Sequence, residues 1–266
     1  MIKVIIVGVG GKMGRSIYAA LNNDEEISIV GATELPGHHL VGKDFGEVMG
    51  FEKSGVEVTD DIYHTSGDSD IIVDFTAPES TISNAEYASK NNKSIVIGTT
   101  GFSTDQKSAL YKSLDSISSV ISPNMSIGVN LLFELSKNVS KILGKEFDVE
   151  IVEAHHRNKV DSPSGTALGL AESVAEGLEV NLKNNAVFER HGNIGKRKDN
   201  EIGIQTIRGG DVVGDHTVMF LGNGERIELT HKALNRDNFS NGVLRAVKWL
   251  PGKSPGIYSM KDVLGF

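Results

Sequence analysis

The first fourteen residues limit the fold of this chain more than any other segment. Residues 2–7 form a short, β-branched apolar run, and Gly8-Val-Gly-Gly-Lys-Met-Gly14 follows it directly. The apolar residues beyond the turn recur at helical spacing, at Met13, Ile17, Ala20 and Leu21. A strand, a glycine turn and a helix in this order are typical of a dinucleotide-binding unit. The glycines let the backbone approach a pyrophosphate, and the helix N-terminus stabilises its charge.

An acidic residue lies where such a unit needs one. Residues 27–30 predict a second strand, and Glu34 falls 20 residues after Gly14, where a carboxylate accepts hydrogen bonds from ribose hydroxyls. Leu35 follows, whereas a basic residue there would pair with the 2′-phosphate of NADP, so the sequence favours NADH. NADPH stays open as the alternative, because four other side chains are candidates to reach that phosphate: Lys12, His38, His39 and Lys43.

Three more apolar runs extend the predicted sheet, at 70–75, 94–97 and 119–122. Two of them end in turns rich in polar and small residues, Gly98-Thr-Thr-Gly101 and Ser122-Pro-Asn-Met125. Ligands of open parallel sheets lie beyond the carboxyl ends of the strands, so both turns are candidates to contact nicotinamide and its ribose. Plain connecting turns are the alternative interpretation. Further along, Ser103 and Gln106 predict a capping box at a helix start.

A second candidate site follows the predicted strand 147–152. Four potentially cationic side chains occur within five residues, at His155, His156, Arg157 and Lys159. They repel one another unless acidic groups or a bound anion compensate them. Ser162-Pro-Ser-Gly-Thr166 then predicts a helix start with proline at a first helical position, so that free N–H groups face the basic cluster. The pattern indicates a site for a small anion; a solvated basic surface is the alternative.

The second half of the chain is richer in strands. A long amphipathic helix is predicted after Gly128, residues 201–208 alternate, and 216–221 and 225–231 flank a Gly-Asn-Gly turn as a hairpin. These features indicate an α+β domain with a mixed or antiparallel sheet. A last helix is predicted near 238–250.

Residues 183–200 are rich in Asn and Lys and predict a long mobile loop with solvated basic side chains.

Composition excludes several classes of protein and of site. A net charge of −8 disfavours a nucleic-acid binder. The absence of cysteine excludes thiolate nucleophiles and cysteine-ligated metals, and we expect no metal. With no apolar run near the roughly 18 residues needed to cross a bilayer, we expect a cytoplasmic protein that binds no membrane.

Several blocks together resemble the 4-hydroxy-tetrahydrodipicolinate reductase family, also called dihydrodipicolinate reductases. The most specific is Glu-Ala-His-His-Arg-Asn-Lys-Val-Asp-Ser-Pro-Ser-Gly-Thr-Ala-Leu at 153–168. The others are Gly-Gly-Lys-Met-Gly at 10–14, Asp-Phe-Thr at 74–76, Gly-Thr-Thr-Gly at 98–101, Pro-Asn-Met-Ser-Ile-Gly-Val-Asn at 123–130, Arg-Gly-Gly-Asp-Val-Val-Gly-Asp-His-Thr at 208–217, and 258–266. The resemblance therefore extends over nearly the whole chain.

The resemblance implies a reaction and an architecture. The reaction is NAD(P)H-dependent reduction of 4-hydroxy-tetrahydrodipicolinate, a small cyclic dicarboxylate, to tetrahydrodipicolinate with loss of water, in the diaminopimelate route of lysine biosynthesis. The fold is α/β, with a Rossmann-like parallel-sheet domain formed by 1–127 with 237–266. Residues 128–236 would form an α+β substrate-binding domain whose sheets join a homotetramer.

The resemblance also implies roles for individual residues. His155 and Lys159 match the family's acid–base pair, and His156, Gly165 and Thr166 match groups that bind substrate carboxylates. The implied cofactor contacts are Gly8, Val9, Gly10, Gly11, Lys12, Met13, Glu34, Gly98, Thr99, Thr100, Ser122, Pro123, Asn124 and Met125. The chain departs from many relatives at Leu35, where they carry a basic residue.

Two other functions are compatible with parts of the sequence. A sensor that binds NAD(H) without turnover would use the glycine turn and Glu34, but it would leave the cluster at 155–159 unexplained. A metal-dependent hydrolase would use His155 and His156, although adjacent strand residues point to opposite faces.

Overall fold

The structure is a computed structural model that describes residues 1–65 and 68–266. Within these residues the chain divides into two compact units, Met1–Ile127 with Asp237–Phe266, and Gly128–Arg236. In the described part of the chain, no helix combines the length and the apolar character needed to span a membrane.

The first unit is built on a parallel sheet. Its strands, as far as the chain is described, are β1 (Ile2–Val7), β2 (Ile27–Thr33), β3 (Val58–Thr59), β4 (Ile71–Asp74), β5 (Ser94–Ile97), β6 (Ser118–Ile121) and β12 (Gly256–Tyr258). They lie in the order β12-β6-β5-β4-β1-β2-β3, and every neighbouring pair is parallel. The predicted Rossmann-like sheet is confirmed.

Helices cover both faces of this sheet. They are α1 (Lys12–Asn22), α2 (Phe45–Met49), α3 (Pro78–Lys90), α4 (Thr104–Leu114), α8 (Asp237–Trp249) and α9 (Met260–Leu264). Strand β1 shows why the apolar runs are continuous, because Val4 and Ile6 pack into one core while Ile5 and Val7 pack into the other. The predicted capping box is present, with Ser103 and Gln106 bonded reciprocally at the start of α4.

The C-terminal segment completes the first unit. Helix α8 packs on α1, where Ser16 Oγ lies 3.0 Å from Ser240 Oγ. Lys248 Nζ pairs with the Asp24 carboxylate at 2.9 Å. Gly242 lies so close to the carbonyl oxygen of Met125 that a Cβ there would be 1.7 Å away, so the helix needs glycine at this contact. Strand β12 then extends the sheet beside β6.

The second unit contains a mixed sheet backed by helices. Its strands are β7 (Asp148–His155), β8 (Ala186–Val187), β9 (Ile202–Arg208), β10 (Gly214–Leu221) and β11 (Arg226–Ala233), in the order β11-β10-β7-β9-β8. The antiparallel β10–β11 pair confirms the predicted hairpin, and β7 and β9 are parallel. The helices are α5 (Ile127–Leu143), α6 (Gly165–Gly177) and α7 (Leu182–Asn185).

Strand β7 alternates between two environments. Val149 and Ile151 are buried in the core, where Leu170 and Val174 of α6 also pack. Residues two apart on a strand share a face, so Glu153, at the next inward position, is carried into the interior. This polar residue in an apolar series is the start of the second candidate site.

Two local expectations were wrong. Pro163 is not in the first turn of α6, because Ser164 is the N-cap and the helix begins at Gly165. The basic residues of 183–200 are not all solvated either. Arg190 forms two bonds to the Glu150 carboxylate at 2.7 and 2.9 Å, and Arg197 pairs with Asp148 at 2.6 Å. Carboxylates on β7 thus fix a segment whose composition resembles a loop.

Candidate functional site

The glycine turn in the first unit has the geometry of a phosphate cradle. Gly8 has a left-handed φ of 72°, which favours glycine. A Cβ on Gly14 would lie 2.7 Å from the carbonyl oxygen of Gly8, so only glycine permits α1 to start this close to β1. Gly11 is the N-cap of α1 and offers no side-chain oxygen to its first N–H groups. The backbone at this turn therefore suits an anionic ligand.

Glu34 lies at the same turn. Its Oε2 accepts a hydrogen bond from the Gly10 N–H at 2.6 Å, and its Oε1 accepts one from the Leu35 N–H at 2.9 Å. The Leu35 side chain is 65% exposed beside this carboxylate. A carboxylate in this position can accept hydrogen bonds from the free hydroxyl groups of a ribose.

The four side chains proposed to reach a 2′-phosphate are not equally placed. The His38 ring lies against Gly10, where a Cβ would be 2.8 Å from its Cε1. His39 packs on His38 with ring centroids 4.4 Å apart. Lys12 and Lys43 are exposed. Lys12 belongs to the 8–14 segment itself, and His38 contacts that segment at Gly10.

A groove of about 520 Å³ opens beside the turn. Its lining includes Gly8, Gly11, Glu34, Leu35, Thr76 and Asn84. Its position at the carboxyl ends of β1, β2 and β4 is where open parallel sheets bind their ligands. The groove and the cradle together fit a dinucleotide.

The predicted turn at 98–101 is held by a carboxylate that sequence reasoning did not assign to the site. Asp74 is fully buried, and its Oδ1 accepts hydrogen bonds from the Thr76 N–H at 3.0 Å, the Thr81 hydroxyl at 3.1 Å and the Thr99 hydroxyl at 3.3 Å. Its Oδ2 accepts from the Asn84 amide at 2.8 Å. Asp74 thus links the turns after β4 and β5.

Neighbouring predicted residues have structural roles as well. A Cβ on Gly98 would meet the Phe75 ring at 1.9 Å, so glycine is required there. In the turn after β6, Ser122 donates to the Asn124 carbonyl at 2.7 Å, and Asn124 Oδ1 accepts from the Ser126 N–H at 2.9 Å. The Met125 side chain is buried in the core, while Pro123 is exposed. Only part of this turn is available to a cofactor.

The second unit contains a buried ionic cluster. Glu153 is fully buried, and His155 Nδ1 lies 2.6 Å from its Oε2. Arg208 bonds to the same carboxylate through both terminal nitrogens, at 2.8 and 2.9 Å. Burial raises the pKa of Glu153, but the hydrogen bonds from Arg208, His155 and the Ser164 N–H together outweigh burial and lower this pKa to about 2. Glu153 is therefore a carboxylate at neutral pH.

The N-terminus of α6 adjoins this cluster. Ser164 caps the helix by accepting from the Ala167 N–H at 3.1 Å, and its hydroxyl also lies 3.1 Å from His216 Nε2. The rings of His216 and His155 are 5.1 Å apart between centroids. Burial, with a smaller contribution from the charge of His155, lowers the pKa of His216 to about 4. His216 is therefore neutral at pH 7 and packs beside the capped helix.

The other cationic residues surround the cluster. Lys159 Nζ donates to Asp161 at 2.8 Å, and this hydrogen bond lowers the pKa of Asp161. Arg157 is exposed, and the His156 N–H donates to the Val212 carbonyl at 2.7 Å. Of the four crowded side chains, His155 and Lys159 thus have acidic partners, Glu153 and Asp161.

Glu153, Asp161, Ser164, Arg208 and His216 were absent from the predicted set. The signal for Glu153 was available, because it continues the inward-facing series of Val149 and Ile151. The pairing of Glu153 with Arg208, 55 positions away, had no signal in the spacing.

The two other residues predicted to bind substrate carboxylates lie at the start of α6. Gly165 and Thr166 open α6, and Gly165 is exposed with open space around it.

Among residues 1–65 and 68–266, no group of three His, Asp or Glu side chains is arranged to hold a metal ion. His155 Nδ1 is bonded to Glu153 instead.

Comparisons with known proteins place the whole chain beside one enzyme family. The family model described as dihydrodipicolinate reductase, N-terminus, matches residues 2–125, and the one described as dihydrodipicolinate reductase, C-terminus, matches 128–264. A 4-hydroxy-tetrahydrodipicolinate reductase from Pelobacter propionicus is 47% identical over 265 residues, covering 100% of this chain and 99% of its own. One from Magnetococcus marinus is 48% identical with the same coverage.

Solved structures agree with this result. A dipicolinate-bound dihydrodipicolinate reductase from Paenisporosarcina sp. TG-14 has a TM-score of 0.75 at 25% identity, covering 97% of each chain. An amine dehydrogenase from Mycobacterium smegmatis has a TM-score of 0.60 at 14% identity, covering 97% of this chain and 95% of its own, and shares the fold.

The buried His216 predicts a pH dependence of stability. Its pKa is about 4 in the folded chain against 6.5 for an ordinary histidine, so the unfolded chain binds the proton first as the pH falls. The stabilising contribution is complete above pH 6.5 and is lost between pH 6.5 and 4, on the order of 3 kcal/mol in total. Urea unfolding at pH 7, 6 and 5 should show a smaller loss for His216→Gln than for the wild type.

The exposed His191 provides the matched control. His191→Gln should keep the wild-type loss of unfolding free energy across the same pH range. An equal loss in the wild type and in both variants would show that His216 is not protonated on unfolding as described.

Proposed function

Since the chain belongs to the dihydrodipicolinate reductase family, we propose that it reduces 4-hydroxy-tetrahydrodipicolinate to tetrahydrodipicolinate with NAD(P)H and loss of water. The observation that carries this proposal is that the family models and the relatives span essentially the full chain, with both candidate sites inside the match. The reaction belongs to the diaminopimelate route of lysine biosynthesis.

The first unit would hold the cofactor. Gly8, Gly10 and Gly11 would let the backbone approach the pyrophosphate at the N-terminus of α1, and Glu34 would accept hydrogen bonds from the adenosine ribose. The turn after β5, tied to Asp74 through Thr99, lies where nicotinamide and its ribose would bind. NAD(P)H supplies the hydride when bound. The contacts of Glu34 and the exposed apolar Leu35 support NADH as the better reductant.

The second unit would hold the dicarboxylate. The N–H groups at Gly165 and Thr166, at the start of α6, suit one carboxylate, and His156 provides a second donor. Reduction of a conjugated imine leaves electron density on the ring, so an acid must deliver a proton. Lys159 and His155 are the proposed acid–base pair. The ammonium of Lys159 also stabilises negative charge as it develops.

The oligomeric state follows as a proposal from the outer face of the second sheet. Residues of β7 and β10 that point away from α6 are half-buried and mostly uncharged, among them Val152, Ala154, Thr217 and Met219. We expect copies of this sheet to pair in a homotetramer. Sedimentation equilibrium should give four times the 28.6 kDa chain mass; a monomer mass at micromolar concentration would contradict the proposal.

Lys159→Ala tests the reaction and the role of the lysine together. Wild-type protein should oxidise NADH or NADPH when the substrate is generated in the cuvette by its synthase. The variant should lose kcat by roughly 10²- to 10⁴-fold with a much smaller rise in KM, because proton transfer acts in the transition state. Initial rates over a substrate series measure both constants.

Lys145→Ala, at an exposed position, is the matched control and should behave as the wild type. An unchanged kcat with a weaker KM in Lys159→Ala would make the lysine a binding residue instead. Cofactor binding by the wild type without turnover would support a sensor rather than a reductase.

Leu35→Arg tests the cofactor preference. An arginine beside Glu34 can pair with a 2′-phosphate, and hydrogen bonds to charged groups contribute about 1.5–3 kcal/mol. The ratio of kcat/KM for NADPH to that for NADH should therefore rise about 10-fold or more. Ile142→Arg, an equally exposed change in the second unit, should leave the ratio unaltered. An unchanged ratio in Leu35→Arg would show that the residue at position 35 does not decide the preference between NADPH and NADH.

A further inference from the structure

We propose that Glu153 is the positioning residue for His155: its carboxylate, paired with Arg208, holds the His155 ring as the Nδ1–H tautomer and leaves Nε2 as the atom that exchanges protons. The hydrogen bonds of Glu153 carry the structural part of this proposal. Its consequence for turnover rests on the proposed function, in which His155 takes part in acid–base chemistry.

The geometry makes Glu153 a direct support for the imidazole. The two residues are two positions apart on β7 and therefore point to the same face of the strand. His155 Nδ1 lies 2.6 Å from Glu153 Oε2, within a site where Glu153 is fully buried. A short bond that water does not reach fixes the plane of the ring more firmly than an exposed one.

The tautomer follows from the chemistry of the two groups. The pKa of Glu153 is about 2, so at neutral pH the side chain is ionised and can only accept hydrogen bonds. Nδ1 must then be the donor, and in the neutral ring Nε2 carries the lone pair. Nε2 lies beside Gly214, where a Cβ would come within 3.0 Å of it, so glycine at this position makes room for the ring.

Arg208 allows the carboxylate to be buried. An unpaired buried carboxylate would be costly, and the bidentate arginine offsets its charge. The same guanidinium donates to the Asp161 carbonyl at 2.8 Å. Glu153 also accepts from the Ser164 N–H at 3.0 Å, at the start of α6. The pair therefore sets the position of His155 relative to both the Lys159–Asp161 loop and the proposed carboxylate site.

The distribution of donors predicts what an amide would do at position 153. Oε1 receives hydrogen bonds from Arg208, Ser164 and Thr206, whereas Oε2 receives them from Arg208 and His155. In Glu153→Gln the amide oxygen should take the position with three donors, which turns its NH₂ group toward His155. Nδ1 must then accept, and the ring should change to the Nε2–H tautomer.

Glu150 supplies a matched control on the same strand. Its carboxylate also binds an arginine through two bonds, from Arg190 at 2.7 and 2.9 Å. It points to the opposite face of β7 from Glu153. Glu150→Gln therefore removes an equivalent ion pair without touching His155.

The experiment reads the tautomer directly. Full-length protein labelled with ¹⁵N-histidine is examined by long-range ¹H–¹⁵N correlation at pH 7.5 without ligands, and the His155 signals are assigned by their loss in His155→Asn. The wild type and Glu150→Gln should show Nδ1–H, and Glu153→Gln should show Nε2–H. In the assay with NAD(P)H and substrate, Glu153→Gln should lose about 10²-fold or more in kcat, since in the Nε2–H tautomer Nε2 has no lone pair and cannot accept a proton.

The outcomes are distinguishable. A wild-type His155 that is protonated at Nε2 and not at Nδ1 overturns the proposal, and so does a folded Glu153→Gln that keeps the wild-type tautomer and kcat. If Glu153→Gln does not fold, Glu153→Asp, which keeps the charge, should retain Nδ1–H with a lower kcat; Nε2–H in that variant overturns the proposal. Absence of turnover in the wild type would contradict the proposed function while leaving the tautomer result intact.

Discussion

Burial of the Glu153 carboxylate is the interaction on which the second unit's candidate site depends. A charge with no exposure to water is tolerated only when hydrogen bonds and an opposite charge compensate it. Here the compensating groups come from three parts of the chain: His155 on the same strand, Arg208 at the end of β9 and the N–H of Ser164 at the start of α6. Satisfying one carboxylate therefore brings the site residues together.

The first unit uses a buried carboxylate in a related way. Asp74 ends β4 and is surrounded by donors of hydroxyl, amide and backbone type, including Thr81, Thr99 and Asn84. Neutral donors suffice to hold the turns after β4 and β5 beside the dinucleotide groove. The difference is chemical, because Asp74 orders backbone that would contact a cofactor, whereas Glu153 orients a side chain that would exchange protons.

Charge compensation also explains the cationic residues of the second unit. Lys159 pairs with Asp161, and His155 pairs with Glu153, so two of the four potentially cationic side chains at 155–159 already have acidic partners. In the proposed carboxylate site, the groups offered to an anionic ligand are directional: the first turn of α6 at Gly165 and Thr166, together with His156 and the ammonium of Lys159. Such a set suits a rigid dicarboxylate better than a large polyanion.

Local patterns in the sequence were enough to predict the longer strands and helices of both units, but not the short elements α2, β3, α7 and β8. These patterns are the glycine spacing at 8–14, the continuous apolar runs and the alternation in 201–208. Each depends only on residues that are close in the sequence, so each predicts an element without knowledge of the rest of the fold. The same holds for Glu34, whose distance from the glycine turn is set by one βαβ unit. The block at 153–168 identified the family and with it the proposed acid–base and carboxylate-binding residues.

The tertiary structure alone decided which side chains support those residues. Arg208 reaches Glu153 across 55 positions, and Thr99 reaches Asp74 across 25. Arg190 and Arg197, expected to be solvated, bind the half-buried Glu150 and the exposed Asp148 on β7. The donors that bind a buried carboxylate come from segments that the fold places next to it. Which segments these are depends on the order of the strands in the sheet, and local sequence does not determine that order. The sequence by itself therefore determined the periods, the turns and the residues proposed to react, while only the packing of the strands determined the partners that hold them.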